Sequence, residues 1–434
     1  MRRMLIVADD LSGAADCAIA CTAAGLDALV VLGGASGDGA DVLAVDADTR
    51  RLAPAAAARR TFEAFRDHVG AVTPILFKKL DSSLRGNIAA ELRAGLEFAG
   101  SRGAGRALAI VAPAFPALGR TTRGGQQRIR GVPVEATELW RREGIAGTAH
   151  VPTMIERAGM RTRHVDLPTV RDGDALRDAL HGACTDHDAV VCDAETEADL
   201  AAIATAGVTL GPHTLWAGAA GLARHLAAGM TPRPSTDGTA GIDRWAIGPV
   251  KRPILFVVGS LSSVSRRQVE MLAAEGECRL VTVAPRVLRM GASAPGWAEA
   301  RDRIGRQNMA GVDLIVMLGL EDRIDLAEGL ALCSGLAQLV APFADQFGAV
   351  VSTGGETARA VMEALGAGAL RLIGEVEAGV PLATIEQPSG PWHRLPIITK
   401  AGAFGQPDTL LRCRAALRAP AAFAASVSTG GSQE

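Results

Sequence analysis

Short apolar runs recur along the chain and alternate with Ala-, Leu- and Arg-rich stretches whose apolar residues fall at helical spacing. Runs such as Leu314–Leu318 and Ile254–Val258 are too short for helices of their own and are apolar without alternation. That is the pattern of short β-strands. Strand-like runs alternating with helical stretches predict βα units, hence an α/β fold with mainly parallel sheets. Two segments read alike: MLIVADDLSGAADCAIACTAAG at 4–25 and PILFVVGSLSSVSRRQVEMLAAEG at 253–276 each give a strand, a polar turn and an amphipathic helix. Between them, 231–252 concentrates Pro, Gly, Ser and Thr without a sustained period, as a linker does. The chain is therefore expected to form two α/β domains, 1–230 and 253–434, with the Ala-rich segment from Ala419 to Glu434 frayed.

Polar residues gather where the predicted strands end: Asp9 and Asp10, Lys78 to Asp81, Gly259 and Ser260, Thr353 to Glu356, Thr399 and Lys400. Open α/β sheets bind ligands beyond the carboxyl ends of their strands, so one half-site on each domain and a catalytic cleft between the domains are expected.

Composition narrows the partners. With 45 Lys plus Arg against 47 Asp plus Glu, the net charge of -2 gives no electrostatic reason to expect nucleic acid or an anionic membrane. The apolar runs fall far short of the roughly 18 residues of a membrane span. The opening MRRMLIVADD turns acidic at Asp9 before a signal-peptide core could form, which points to the cytoplasm. Seven scattered cysteines without a CxxC pair suit a reducing compartment and small core positions, and the eight histidines show no HExxH spacing. A homodimer is compatible with all of this. Only Lys78, Lys79, Lys251 and Lys400 are lysines, the remaining cations being arginines. A site that keeps a compact ammonium amid that bias is a candidate for gripping a phosphate or carboxylate, although Lys251 lies beside the linker and reads as ordinary.

Several clusters could carry chemistry. In ADDLSGAAD, Asp9 and Asp10 end a strand and Ser12 and Gly13 open a helix; a carboxylate there could take a proton, help hold a metal, or simply cap the helix. FKKLDSSLRGN packs Lys79, Asp81, Ser82, Arg85 and Asn87 behind one strand. Such density suits a small polyhydroxy acid, with Lys79 or Arg85 on its carboxylate and Asp81 on its hydroxyls. APAFPALGRTTRGG adds Gly119, Arg120, Thr121 and Thr122, compatible with anion binding or a Pro-rich turn. In VVSTGGETARAVMEALG, Gly354 and Gly355 precede a helix near Glu356 and Thr357, where close backbone approach and free amides suit a phosphate. Ser260 after Gly259, and Lys400 with Gly402 in PIITKAGAFGQPDTL, suit other parts of a nucleotide. No G-x-x-x-x-G-K-[ST] and no G-x-G-x-x-G joining a strand to a helix occurs, so Walker-type and standard dinucleotide modes are disfavoured.

Taken in order, ADDLSGAAD, KKLDSSLRGN, APAFPALGRTT, VVGSLSSVSRRQ, STGGETA, GEVEAGVP and TKAGAFG resemble the four-carbon acid sugar kinase family along almost the whole chain. The resemblance implies an N-terminal sugar-acid domain and a C-terminal nucleotide domain that together phosphorylate the terminal hydroxyl of D-threonate, D-erythronate or 3-oxo-tetronate with ATP. By motif, Asp10, Lys79, Asp81 and Arg85 would face the sugar acid, and Ser260, Gly354 to Thr357 and Gly402 the ATP. Many relatives resemble DDLTGAND and KIDSTLRGN, so Ser12 and Ser83 stand here for Thr, and Ala15 for a frequent Asn. Phosphoryl transfer rests on positioning and charge neutralisation, so Mg²⁺ on the ATP phosphates is expected. Asp10 is the expected base; it could instead orient Mg²⁺, and Glu356 or Glu375 could share that task. Two other classes stay open at this point: a sugar-acid sensor without turnover, and a nicotinamide-dependent dehydrogenase, which the missing glycine fingerprint disfavours.

Overall fold

The structure, a computed structural model, describes residues 3–33, 37, 39–70, 73–103, 106–230, 247–308, 311–321, 328–387, 390–402 and 404–421. Most of the expected linker, at 231–246, and the end of the expected frayed segment, at 422–434, lie outside the described residues. The chain divides into two compact units, Met1–Pro234 and Ser235–Glu434.

In the first unit the chain forms β1 (Met4–Ala8), β2 (Ala28–Leu32), β3 (Val42–Asp46), β4 (Ile75–Lys79) and β5 (Leu108–Ala112). A small antiparallel sheet follows, from β6 (Arg120–Arg123), β7 (Gln126–Ile129) and β8 (Val132–Pro133). Then come β9 (Thr162–Val165), β10 (Ala189–Cys192) and β11 (Thr214–Gly218). The main sheet runs β2-β3-β1-β4-β11-β5-β10-β9, every pair parallel. All five residues of β1 and of β5 are buried, because helices cover both faces of the sheet. The chain leaves β1 toward β2 on one side and leaves β4 toward β5 on the other, so adjacent strands send their connections opposite ways and a topological switch point opens between β1 and β4.

The second unit repeats that beginning. It forms β12 (Ile254–Val258), β13 (Cys278–Val283), β14 (Asp313–Leu318), β15 (Ala349–Thr353), β16 (Ala369–Glu375), β17 (Pro381–Glu386) and β18 (Pro396–Lys400). Their order is β13-β14-β12-β15-β18-β17-β16, parallel through β18, with β17 antiparallel to β18 and to β16. Here the switch point falls between β12 and β15. Phe256, Val258, Val351 and Ile398 pack with Leu272 and Leu410 into one core beneath it. The expected α/β class with mainly parallel sheets is what the chain adopts. All seven cysteines are free and six are buried.

Candidate active site

Asp9 and Asp10 follow β1 directly, and Asp10 caps the helix Leu11–Thr22: its Oδ1 accepts the Gly13 amide at 2.8 Å. The capping role weighed from the sequence is therefore real. It leaves Oδ2, which accepts Arg50 Nη1 at 2.6 Å. A side chain on Gly13 would lie 2.8 Å from Asp10 Oδ1 and 3.3 Å from Lys79 Nζ, so only glycine admits both charged groups beside the first turn.

Arg50 organises this end of the sheet. It lies in the loop after β3, whose Thr49 and Arg50 amides bond the Asp9 carbonyl at 3.0 and 3.3 Å. Its Nε and Nη2 hold the two oxygens of Asp9 at 2.7 and 3.0 Å in a fork, and Nη2 stands 4.0 Å from Asp81. Asn87, expected to meet the substrate, donates its amide to the carbonyls of Thr49 and Leu52 at 3.1 and 2.9 Å and so fixes the Arg50 loop.

Successive residues of a strand point to opposite faces, and Lys78 and Lys79 divide accordingly. Lys78 is fully buried in an ion pair with Glu91 of the helix Ile88–Ser101 at 2.8 Å, a structural cation. Lys79 faces the first helix and donates to the Leu80 carbonyl at 2.8 Å. Burial opposes its charge, yet Cys17, Asp16, Asp81 and Asp9 around it hold its pKa above the usual lysine value. Beyond it, Asp81 Oδ1 accepts the Ser83 amide at 3.0 Å and Oδ2 pairs with Arg85, which also stands 3.7 Å from Glu143. Burial would raise the pKa of Asp81, but Arg85, Arg50 and Lys79 outweigh it and hold the carboxyl far below the usual range. Asp9 is likewise lowered: burial is opposed by Arg50 and Lys78 and wins nothing. Of the three carboxylates Asp10 is the most open, its side chain 22% exposed against 4% for Asp9 and 8% for Asp81.

The loop carrying Ser82 and Ser83 is fastened by the small sheet and by the helix Glu138–Arg142 that follows it. Gln127 donates to the Ser82 carbonyl at 2.9 Å, and the buried Trp140 indole donates to the Ser83 carbonyl at 2.7 Å. Arg120, at the start of β6, donates to the Leu118 carbonyl at 2.8 Å and faces Asp81 and Asp16. Ser12 Oγ is buried without a hydrogen-bond partner. Arg50, Gln127 and Trp140 had not been singled out from the sequence, although Arg50 shares the general signal of a polar residue just past a strand end.

The second unit places Ser260, Gly354, Thr357, Lys400 and Gly402 together beyond β12, β15 and β18. Gly354 has φ 99° and begins the helix Gly355–Ala364 without a side-chain cap, so no side chain occupies its first-turn amides. The Gly354 amide itself bonds the Lys400 carbonyl at 2.8 Å. Ser260 Oγ accepts the Ser262 amide at 3.2 Å, and Gly402 lies so near that a β-carbon there would overlap Ser260 Oγ. Lys400 Nζ reaches Ser265 Oγ and the Gly402 carbonyl, both at 3.4 Å. Burial pulls its pKa down to about 8 despite Cys413 and Glu377 nearby. Ser352 Oγ and Thr353 Oγ1 are buried and without partners at the same strand end. Glu356 sits half-buried in the first helical turn, whereas Glu375 Oε1 accepts the Gly379 amide at 2.7 Å and closes a turn. Among the described residues no three His, Cys, Asp or Glu side chains form a metal cage.

The first unit thus carries a charged strand end and the second a glycine-lined, hydroxyl-rich one. A family model described as the sugar-binding N-terminal domain matches residues 4–226, and one described as the nucleotide-binding C-terminal domain matches 255–410. The D-threonate kinase of Cupriavidus necator is 44% identical over 96% of this chain and 99% of that protein. The chain belongs to the four-carbon acid sugar kinase family.

A second family member, the D-threonate kinase of Bordetella bronchiseptica, is 34% identical over 95% of this chain and 97% of its own. A crystal structure from Salmonella typhimurium LT2 shares the fold, with a TM-score of 0.77 at 19% identity, covering 95% of this chain and 99% of that one. As a four-carbon acid sugar kinase the protein is a phosphotransferase, and the sensor and dehydrogenase readings give way to it. Among the described residues no helix is long and apolar enough to cross a membrane.

Proposed function

We propose that this protein transfers the γ-phosphoryl group of ATP to the terminal hydroxyl of D-threonate. The observation that carries the reading is the 44% identity to a D-threonate kinase over nearly the full length of both chains. The sugar acid binds beyond β1 and β4, where Arg50, Lys79, Asp81, Arg85 and Arg120 converge, and ATP binds beyond β12, β15 and β18.

Asp10 is the acceptor of the hydroxyl proton. A carboxylate has about four lone-pair sites, so its bonds to Gly13 and Arg50 fix the group in place and leave it able to accept another hydrogen. Arg50 bonds Asp9 and Asp10 side by side and keeps the Asp9 carboxyl ionised. At the nucleotide end, Gly354 and Gly355 let the triphosphate approach the uncapped helix start, with Lys400 and the hydroxyls of Ser260 and Thr353 as donors. Mg²⁺ fits here as an ion carried on the triphosphate, because Glu356 in the first turn would otherwise repel it; Glu356 would supply an oxygen, and the ion would neutralise charge on the transferring group. The reaction belongs in the cytoplasm, where ATP is available and seven free thiols persist.

A coupled ADP-release assay with Mg-ATP across threonate, erythronate and 3-oxo-tetronate stereoisomers tests this. D-threonate should give the highest kcat/KM, with phosphorus coupled to the C4 protons of the product. No tetronate-dependent ADP release would refute the proposal.

A further inference from the structure

Most cations of the charged end already have anionic partners within the protein: Arg50 with Asp9 and Asp10, Lys78 with Glu91, Arg85 with Asp81. Arg224 does not. It lies half-buried on the helix Ala220–Ala228, which leads out of β11, the neighbour of β4, and packs on the helix Leu11–Thr22. Its Nε is buried without a hydrogen-bond partner, and among the described residues its guanidinium makes no ion pair within 4.0 Å. Among the described residues, two carboxylates feel its charge. Glu197 is already engaged by His225 Nε2 at 2.8 Å and by the Ala117 amide at 3.3 Å. The other is Asp16.

Asp16 shows the complementary deficit. It faces Lys79, Arg120 and Arg224 together, yet among the described residues it accepts no hydrogen bond and has no cation within 4.0 Å. Burial pushes its pKa up in spite of those three cations. Ser12, one helical turn before it, carries the partnerless Oγ noted above, and residues four apart share a helix face. A carboxylate ringed by cations that do not touch it leaves room for a small polar molecule to bridge them. With a rise of about 1.5 Å per residue, Asp16 stands roughly 9 Å along the helix from Asp10.

We infer that Arg224 holds the carboxylate of the sugar acid and that Asp16 accepts a hydroxyl hydrogen beside it, so that the opposite end of the four-carbon chain reaches Asp10. This rests on the proposed sugar-acid kinase activity and assigns that activity two specificity-determining residues. A guanidinium fork matches a carboxylate with two parallel bonds and gains nothing comparable from a neutral alcohol.

The experiment compares D-threonate with D-threitol, the four-carbon polyol that lacks the carboxylate, in wild type, Arg224→Met and Arg224→Lys, with melting temperatures taken alongside. Wild type should prefer threonate, and Arg224→Met should lower kcat/KM for threonate about 10- to 100-fold, mainly through KM, and collapse the threonate-to-threitol ratio. Arg224→Lys keeps the charge but loses the fork, and should lower the same ratio by an intermediate factor even if the methionine variant folds poorly. Asp16→Asn should raise KM for threonate and threitol together. An unchanged ratio in both Arg224 variants overturns the inference while leaving the kinase reading intact. A wild type that turns over no tetronate overturns both.

Discussion

Removing Arg50 tests the charged end most directly. In Arg50→Met three short hydrogen bonds disappear, to both oxygens of Asp9 and to Asp10, while the carboxylates stay where the backbone holds them. Breaking a buried pair from one side costs about 3–5 kcal/mol, because the remaining charge keeps its burial and loses its compensation. The Arg50 side chain is 21% exposed, so the lower figure applies. For a unit of this size 1 kcal/mol shifts the melting temperature by about 2–4 °C, which gives a loss on the order of 6–12 °C at pH 7.

The pH dependence fixes the cause. In wild type the Asp9 carboxyl lies below its ordinary value of 3.8, so its stabilisation is complete above 3.8 and is lost as pH falls through the lower folded value. In the variant, burial would lift that carboxyl above 3.8, so the penalty is full at neutral pH and shrinks as pH falls toward 3.8. Thermal melts of both proteins between pH 7 and pH 4 should therefore converge on acidification, with kcat/KM for threonate reduced at pH 7. A variant melting within about 2 °C of wild type at pH 7, or a gap that widens toward pH 4, would show that the network is not what holds this end together.

Replacing Asp10 with Asn should keep the helix cap and lower kcat by about 10² to 10⁴, since an amide cannot take the hydroxyl proton; near-normal turnover would reassign the base. Gly402→Ala would drive a methyl group into Ser260 and should raise KM for ATP by up to about 10²-fold while leaving KM for threonate near wild type, which initial rates at varied ATP will read. Lys400 loses its proton near pH 8, so KM for ATP should rise about 10-fold between pH 7 and pH 9 in wild type and stay flat in Lys400→Arg. The unfolded chain keeps that proton to about 10.5, so the ligand-free protein should grow more stable over pH 8 to 10.5, opposite to its ATP affinity; parallel trends would refute the assignment.

What could be read from the sequence and what could not divide along physical lines. Buried parallel strands are apolar on both faces, so polar residues at or just past a strand end are conspicuous, and Asp9, Lys79 and Asp81 stood out for that reason. Arg50 follows a strand in the same way, but in a chain that uses arginine for nearly every cation its identity carries no signal. The small sheet that clamps Ser82 through Gln127 was equally hidden: its strands RTTR and QQRI are polar and read as loop. Asn87 drew notice for its rarity, and it serves the backbone of the Arg50 loop through contacts 38 and 35 residues away in sequence, which no local pattern encodes. Arg224 and Asp16 lie inside helices, where spacing says only which face they share.

The first four strands of each unit take the same spatial order, β2-β3-β1-β4 and β13-β14-β12-β15, so each unit opens its switch point at the same place relative to its own first strand. An identical frame cannot by itself decide what binds there; the side chains must. In the first unit that place holds carboxylates alternating with guanidinium and ammonium groups, an arrangement that can accept hydroxyl hydrogens and grip one carboxylate but would repel a dense polyanion at Asp9, Asp10 and Asp81. In the second unit it holds glycines, neutral hydroxyls, an uncapped helix start and one ammonium, with Glu356 as the acidic residue of the first turn. That set can surround several phosphate oxygens at once and offers few groups able to sort one polyol from another. The proposed division of labour between a selective end and a phosphate-holding end thus rests on charge placed on a repeated frame.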